Sequence, residues 1–152
     1  MGASGWRRAA MACMCFLAAG MMVFLSRNPV SKRGICFADI ILEDYGTITV
    51  ALDKEAAPST VENFISLAGD GFYDGLTIHR AIEGFLIQGG APHRDGTGGA
   101  GTCVRGEFSR NGFNNPLSHL RGAISMARDE GYDSASSQFF IVQEDSTYLD
   151  GS

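Results

Sequence analysis

The stretch IHRAIEGFLIQGG, residues 78–90, decides how this chain is interpreted. It is mostly apolar, ends in two glycines and carries one arginine, Arg80, among hydrophobic neighbours. An arginine on an apolar strand surface usually pairs with a carboxylate, because an unpaired charge is unfavourable there. If Arg80, Phe85 and Gln88 face one side, they form an unusual trio. This stretch is therefore the first candidate for a functional site.

Short strand-like runs surround this stretch and indicate a mainly β domain. Residues 37–42 and 47–52 are rich in β-branched side chains, and the turn residues between them predict a hairpin. Many short strands with few helices are typical of a β-barrel or sandwich. The further runs lie at residues 76–79, 85–88, 123–127 and 139–142, with glycine-rich connections between them.

One helix is predicted between the hairpin and the stretch at 78–90. Residues 59–62 read Ser-Thr-Val-Glu, which is the Ser-x-x-Glu form of a capping box. Apolar residues follow at helical spacing, and Gly69 and Gly71 are placed to end the helix.

The first third of the chain predicts a membrane-directed leader. Residues 9–25 carry no charged side chain, and basic residues flank them on both sides. As a helix this run would be roughly 25 Å long at about 1.5 Å per residue, slightly short of a hydrocarbon core of about 30 Å. We expect residues 1–34 to be an apolar helix with a basic linker, acting as an uncleaved anchor; a cleaved signal peptide is the alternative. Residues 35–152 then form one domain outside the cytoplasm.

Charge separates the leader from the domain. All 17 acidic residues and seven of the 12 basic ones follow the leader, so the domain has a net charge of −10 and the leader +5. An acidic domain repels phosphate backbones, which argues against a nucleic-acid partner. The basic leader instead suits anionic lipid headgroups.

Three other chemistries lack the pattern that they require. Residues 96–101 match Gly-x-Gly-x-x-Gly, but no strand leads directly into them and Gly106 interrupts the segment after them, so a surface loop is expected rather than a nucleotide site. The histidines are not at i, i+4 spacing, and no cysteine or carboxylate pair completes a metal set. No serine stands in a Gly-x-Ser-x-Gly elbow. We therefore expect no metal and no cofactor.

His79-Arg80 followed by Gly-Phe-Leu-Ile-Gln-Gly-Gly at 84–90 closely resembles the signature of cyclophilin-type peptidyl-prolyl isomerases. Other family motifs are matched in order, at residues 57–64, 72–75, 125–127 and 137–141. The resemblance implies a cyclophilin-like closed antiparallel β-barrel with few helices. It also implies an enzyme that rotates Xaa-Pro bonds in proline-containing segments of client proteins and assists their folding.

The resemblance assigns roles to individual residues. It implies that Arg80 is the catalytic residue, that Phe85, Leu86 and Phe140 line the pocket for the proline ring, and that Gln88 hydrogen-bonds the substrate backbone. The rest of the groove would be formed by Ala127, Arg128, Gln138, Tyr148 and Leu149, with the loop 96–101 beside it.

Two groove positions and the end of the sequence depart from the family pattern. Arg128 stands where Asn is usual, and Tyr148 where Trp is usual. Because Tyr lacks the indole N–H, we expect cyclosporin-type inhibitors to bind more weakly than to Trp-bearing relatives. The sequence also stops at Ser152, where family members continue into further strands and a helix, so we expect a C-terminally truncated, open barrel. A non-catalytic proline-binding module and an inactive remnant stay open as alternatives.

Overall fold

A computed structural model describes residues 20–25 and 34–151 of the chain. This part is mainly β, with one α-helix of 12 residues. Its elements are β1 (Met21–Leu25), β2 (Ile35–Leu42), β3 (Gly46–Asp53), α1 (Pro58–Gly69), β4 (Arg80–Ile82), β5 (Leu86–Gly89), β6 (Ile124–Met126) and β7 (Phe139–Val142), with 3₁₀ turns at Ser109–Asn111 and Thr147–Leu149.

The strands form two antiparallel sheets, one ordered β1-β2-β3 and the other β4-β5-β7-β6. The predicted hairpin is confirmed, since β2 and β3 pair along their whole length. Its turn contains Asp44 at φ 67° and Gly46 at φ 99°, backbone angles that glycine adopts readily and aspartate tolerates. The predicted run at 76–79 is not a strand, because Leu76 makes only an isolated bridge to Met21 and the ladder begins at Arg80.

The core lies where α1 packs against the sheets, around three aromatic rings. Phe64, Tyr73 and Phe139 have ring centroids 5.2 to 5.7 Å apart. Tyr73 is fully buried, and its hydroxyl donates a 3.1 Å hydrogen bond to the carbonyl of Ser137. Burial raises the pKa of Tyr73 above its usual value, so the phenol stays protonated. These contacts fix α1 over β7, the strand that also carries Phe140.

The apolar N-terminal run is a strand where the structure describes it, so the predicted helix is wrong for these residues. β1 pairs with β2 from Met21↔Leu42 to Leu25↔Ala38. Met21 and Val23 are buried whereas their neighbours are exposed, which is the alternation of a strand at a sheet edge. Residues 9–19 of the run lie outside the described residues. Within the described part of the chain, no helix has the length and apolar character needed to cross a bilayer.

The two sheets do not close into the barrel that the resemblance implies; they stay open, as the sequence predicts for this chain. Within residues 20–25 and 34–151 the two sheets share no ladder, and Met21↔Leu76 is an isolated bridge. An open cavity of about 1200 Å³ has both Val50 on β3 and Met126 on β6 in its walls. Paired strands lie only about 4.8 Å apart, so strands that flank a cavity of this size cannot complete a ladder.

The N-terminus of α1 is capped from a distance rather than by the predicted capping box. The helix begins at Pro58, and its N-cap residue Ala57 has no side chain able to cap. Instead the buried carboxylate of Glu107 accepts the backbone N–H groups of Ser59 and Thr60, each at 2.9 Å through a separate oxygen. An anion at a helix N-terminus is favoured by the helix dipole. The local motif misleads because Ser59 already lies inside the helix.

We predict that Glu107→Gln lowers the free energy of unfolding by about 1–2 kcal/mol, because it removes the charge and replaces one acceptor with a donor facing a helix N–H. Denaturant titration measures the change. Glu62→Gln is the matched control, since Glu62 is exposed on the same helix. Equal losses in both variants would contradict the remote cap.

Candidate functional site

A row of four side chains crosses one face of the second sheet. The strand register pairs Arg80 with Gln88, Gln88 with Phe140, and Phe140 with Ser125. Directly paired residues of antiparallel strands point to the same face. Side chains from β4, β5, β7 and β6 therefore stand next to one another, although the chain separates them widely.

The polar members of this row continue into a chain of hydrogen bonds. Arg80 Nη1 donates to Gln88 Oε1 at 3.3 Å, and Gln88 Nε2 donates to Gln138 Oε1 at 2.9 Å. Gln138 Nε2 then donates to the carbonyls of Gly96 and Gly98, at 3.0 and 2.9 Å. Two glutamines thus connect the exposed guanidinium of Arg80 to the glycine loop.

The glycine loop 96–101 packs against His79. Gly96 has φ +84°, and a Cβ built there would lie 2.7 Å from His79 Cδ2, so a side chain at this position has neither the backbone angle nor the space. Burial, and secondarily the charge of Arg80, lowers the pKa of His79. Its Nδ1 is buried without a hydrogen-bond partner in the described structure. The imidazole therefore acts as a neutral packing surface for the loop.

The residues predicted to hold the proline ring lie around an apolar depression beside Arg80. Leu86 is buried, and Phe85 and Phe140 are half-buried. Phe85 stacks on Tyr148, with ring centroids 6.2 Å apart and an interplanar angle of 26°. Tyr148 is 71% exposed, so most of its ring is available to a ligand.

The structure brings most of the predicted site residues to one cavity. The eight that line it are Arg80, Phe85, Leu86, Gln88, Ala127, Arg128, Phe140 and Leu149. The other two predicted residues contact the cavity wall without lining it. Gln138 is hydrogen-bonded to Gln88, and Tyr148 stacks on Phe85. The same cavity continues between β3 and β6, so the groove opens into the space that the two sheets leave unclosed.

The guanidinium of Arg128 is held by a carbonyl of its own loop and by two aromatic rings. Its Nη1 donates to the carbonyl of Asp129 at 2.7 Å, and its guanidinium lies 5.2 Å from the ring of Phe108 and 5.5 Å from that of Tyr132. Cation–π contacts of this kind are worth about 0.5–2 kcal/mol. The positive charge at this end of the groove therefore has a fixed position.

A histidine network at the far end of the row was not predicted. His119 lies between Asp150 and Ser125, with Nδ1 2.7 Å from Asp150 Oδ1 and Nε2 3.1 Å from Ser125 Oγ. Hydrogen bonds from the Ser118 hydroxyl, then from the backbone and ring of His119, lower the pKa of Asp150 to about 2. No local pattern in the sequence links His119 to a carboxylate 31 residues later, so the sequence alone predicts no role for this histidine. The described residues contain no group of three or more His, Cys, Asp or Glu side chains arranged to hold a metal ion.

Known proteins resemble this chain in both sequence and structure. The profile of the family described as "Cyclophilin type peptidyl-prolyl cis-trans isomerase/CLD" matches residues 37–152. Peptidyl-prolyl cis-trans isomerase B of Bacillus subtilis (strain 168) is 51% identical over 111 residues, which cover 73% of this chain and 74% of that protein. A peptidyl-prolyl cis-trans isomerase of Synechococcus elongatus is 47% identical over 112 residues, covering 74% and 72%.

Solved structures of a cyclophilin type isomerase also resemble this chain in fold. The crystal structure of a Cryptosporidium parvum cyclophilin type peptidyl-prolyl cis-trans isomerase superposes with a TM-score of 0.64 at 32% identity, over 71% of this chain and 67% of that one. A structure of the same protein in the presence of the dipeptide Ala-Pro also has a TM-score of 0.64, over 71% and 68%.

Proposed function

The chain belongs to the cyclophilin-type peptidyl-prolyl cis-trans isomerase family, and we propose that Arg80 drives its reaction by stabilising the twisted imide nitrogen of an Xaa-Pro bond. The substrates are proline-containing segments of client proteins, whose folding the enzyme assists. The observation that carries this proposal is the cross-strand row in which Arg80 and Gln88 stand beside Phe140 at an apolar depression.

The reaction needs stabilisation of a twisted state rather than bond cleavage. An Xaa-Pro bond resists rotation by about 18–20 kcal/mol because the nitrogen lone pair is delocalised into the carbonyl. When the bond is half-turned, that delocalisation is lost and the nitrogen becomes pyramidal and basic. A guanidinium N–H can then donate to it, which it cannot do to the planar ground state. The interaction therefore favours the transition state over the substrate.

Arginine suits this role because its charge persists and its planar fork has a fixed orientation, whereas a lysine ammonium is mobile and strongly hydrated. The 3.3 Å bond from Arg80 Nη1 to Gln88 supports such a fixed orientation. The Gln88 amide has two donors and two acceptor lone pairs, and its bonds to Arg80 and Gln138 use one of each. The others can bind the backbone of the substrate.

The apolar walls of the groove hold the proline ring, and the bound ring displaces water from one side of the exposed guanidinium. Phe85, Leu86 and Phe140 form the pocket, and Leu149 and Tyr148 extend it. Exclusion of water lowers the local dielectric constant, which strengthens the hydrogen bond to the imide nitrogen. Ala127, Arg128 and Gln138 complete the groove, and the fixed charge of Arg128 supports a role in substrate preference.

The leader supports delivery of this isomerase to a membrane or beyond it. Its uncharged run and flanking basic residues are the features that favour anchoring or secretion. Because residues 21–25 form β1, this proposal concerns the residues before Gly20. Their uncharged part, residues 9–19, follows Arg7 and Arg8 and is shorter than the about 20 residues of a spanning helix, so it suits the apolar region of a signal peptide. Fractionation of cells expressing the full chain tests it, and exclusive recovery of the intact protein from the cytosol would exclude it.

We predict that Arg80→Ala lowers kcat/KM at least tenfold, because the donor to the imide nitrogen is lost. Arg80→Lys recovers only part of the activity, since it restores the charge but not the planar fork. A protease-coupled assay on an Xaa-Pro peptide measures both. Arg110→Ala is the control, because Arg110 is exposed and is not among the residues of the groove. Near-normal turnover by Arg80→Ala would refute the mechanism, and peptide binding without turnover by the wild type would favour a binding module.

We also predict that Tyr148→Trp tightens cyclosporin binding several-fold, because the indole N–H supplies a donor at an exposed position of the groove. Calorimetric titration of wild type and variant measures the difference. Tyr45→Trp serves as the control, since Tyr45 is an exposed tyrosine in the turn between β2 and β3 and does not line the groove. Equal affinities for wild type and Tyr148→Trp would show that the missing indole is not the cause of weak binding.

A further inference from the structure

His119 is held through both nitrogens of its ring. The bond from Nδ1 to Asp150 and the bond from Nε2 to Ser125 lie on opposite sides of the imidazole. Because Asp150 has a pKa of about 2, it is an ionised acceptor at neutral pH. Nδ1 therefore donates to this carboxylate, and Nε2 is hydrogen-bonded to the Ser125 hydroxyl. The ring cannot turn without breaking one of these bonds.

The held ring lies flat against a wall of the proline pocket. The planes of His119 and Phe140 are within 11° of parallel, with centroids 5.8 Å apart. Ser125, which holds Nε2, is also the cross-strand partner of Phe140. The position of the Phe140 ring is thus set from the strand beside it and from the imidazole stacked on it.

The backbone of His119 holds a second wall. Its carbonyl accepts the N–H of Ser146 at 2.7 Å, and its N–H donates to Asp150 Oδ1 at 2.8 Å. Both ends of the segment 146–150 are therefore bonded to this one residue. Tyr148 and Leu149 lie between these ends, so a movement of His119 shifts them together with Phe140.

We propose that His119 is a positioning residue of the isomerase. It fixes the ring of Phe140 and the segment 146–150 relative to Arg80, without contacting the substrate or transferring a proton. The proposal rests on the function proposed above, since it concerns the walls of the same groove.

His119→Leu tests this role, because leucine fills much of the volume but makes neither hydrogen bond. We expect kcat/KM to fall about three- to tenfold, mainly through a higher KM, since the pocket walls shift while the guanidinium stays. Ser125→Ala gives a smaller loss of the same kind. Combining the two adds little to the loss from His119→Leu, as expected for residues that act through one contact. His93→Leu is the control, because His93 is an exposed loop histidine.

A merely structural role would lower Tm without changing KM well below that temperature. A kcat/KM within twofold of wild type in His119→Leu, or fully additive losses in the double variant, would overturn the proposal. If His119→Leu does not fold, an unchanged KM in Ser125→Ala would overturn the proposal instead. Normal turnover by Arg80→Ala would instead contradict the proposed function, whatever the His119 variants do.

A second, independent observation concerns β1. The family match begins at residue 37, yet Met21 and Val23 before it are only 0% and 1% exposed. Met21 donates its N–H to the carbonyl of Leu76 and accepts the N–H of Gly75, both at 2.8 Å. β1 therefore lies in a slot between β2 and the turn at Gly75–Leu76.

We infer that this slot is a binding site for a short apolar strand and that residues 20–25 of this chain are its occupant. The strand covers an edge of β2 that would otherwise present unpaired backbone groups. A bilayer-spanning helix requires the same residues in a different backbone conformation. Seating of residues 21–25 in the domain therefore excludes them from a membrane segment, and any membrane-directed segment must end before them.

The slot and a lipid bilayer bury different side chains of residues 20–25. In the slot, Val23 is buried and Phe24 is 46% exposed, whereas in lipid both side chains are surrounded by apolar groups. Val23→Asp in the full chain should lower Tm by about 5 °C or more, because it buries an unpaired carboxylate. Phe24→Asp, the matched control, should leave Tm nearly unchanged.

Unfolding of Val23→Asp alongside a folded Phe24→Asp also supports the slot. Val23→Thr and Met22→Thr repeat the comparison with smaller changes, and only the first is expected to lower Tm. Equal shifts within either pair, or no shift from Val23→Asp, would overturn the inference.

Discussion

The register of the four-stranded sheet is the constraint on which the rest of the site depends. Each of the pairs Arg80↔Gln88, Gln88↔Phe140 and Phe140↔Ser125 places two side chains on one face. A slip of one residue in any ladder would turn a member of the row to the opposite face, since side chains alternate along a strand. The charged group and the apolar pocket wall are neighbours only because all three registers hold together.

Hydrogen bonds around this row keep the polar groups oriented beside an apolar pocket. Gln88 and Gln138 form a relay that ends on two carbonyls of the glycine loop. The loop in turn packs on the imidazole of His79, where glycine at position 96 is required by space and backbone angle. The glycine string that resembles a nucleotide-binding turn thus has a mechanical role, as the support of the arginine relay.

Contacts between residues distant in sequence hold the helix, the N-terminal strand and the His119 segment in place. Glu107 caps α1 across 48 residues, and Asp150 reaches His119 across 31. β1 fills the edge of β2 although no family motif includes it. These contacts share one physical origin, because buried backbone and charged groups need hydrogen-bond partners wherever the fold provides them.

The sequence by itself determined the family, the β2–β3 hairpin and the helix that ends near Gly69, and it predicted ten candidate groove residues, eight of which line one cavity. Local periodicity and an ordered set of motifs carry that information. The tertiary structure decided that β1 is a strand, that Glu107 caps the helix and that His119 is bonded to the residues beside two walls of the site. The same apolar run suits a lipid helix or a strand in a core, and a carboxylate has no local signal for the N–H group it will meet, so only the assembled fold selects between them.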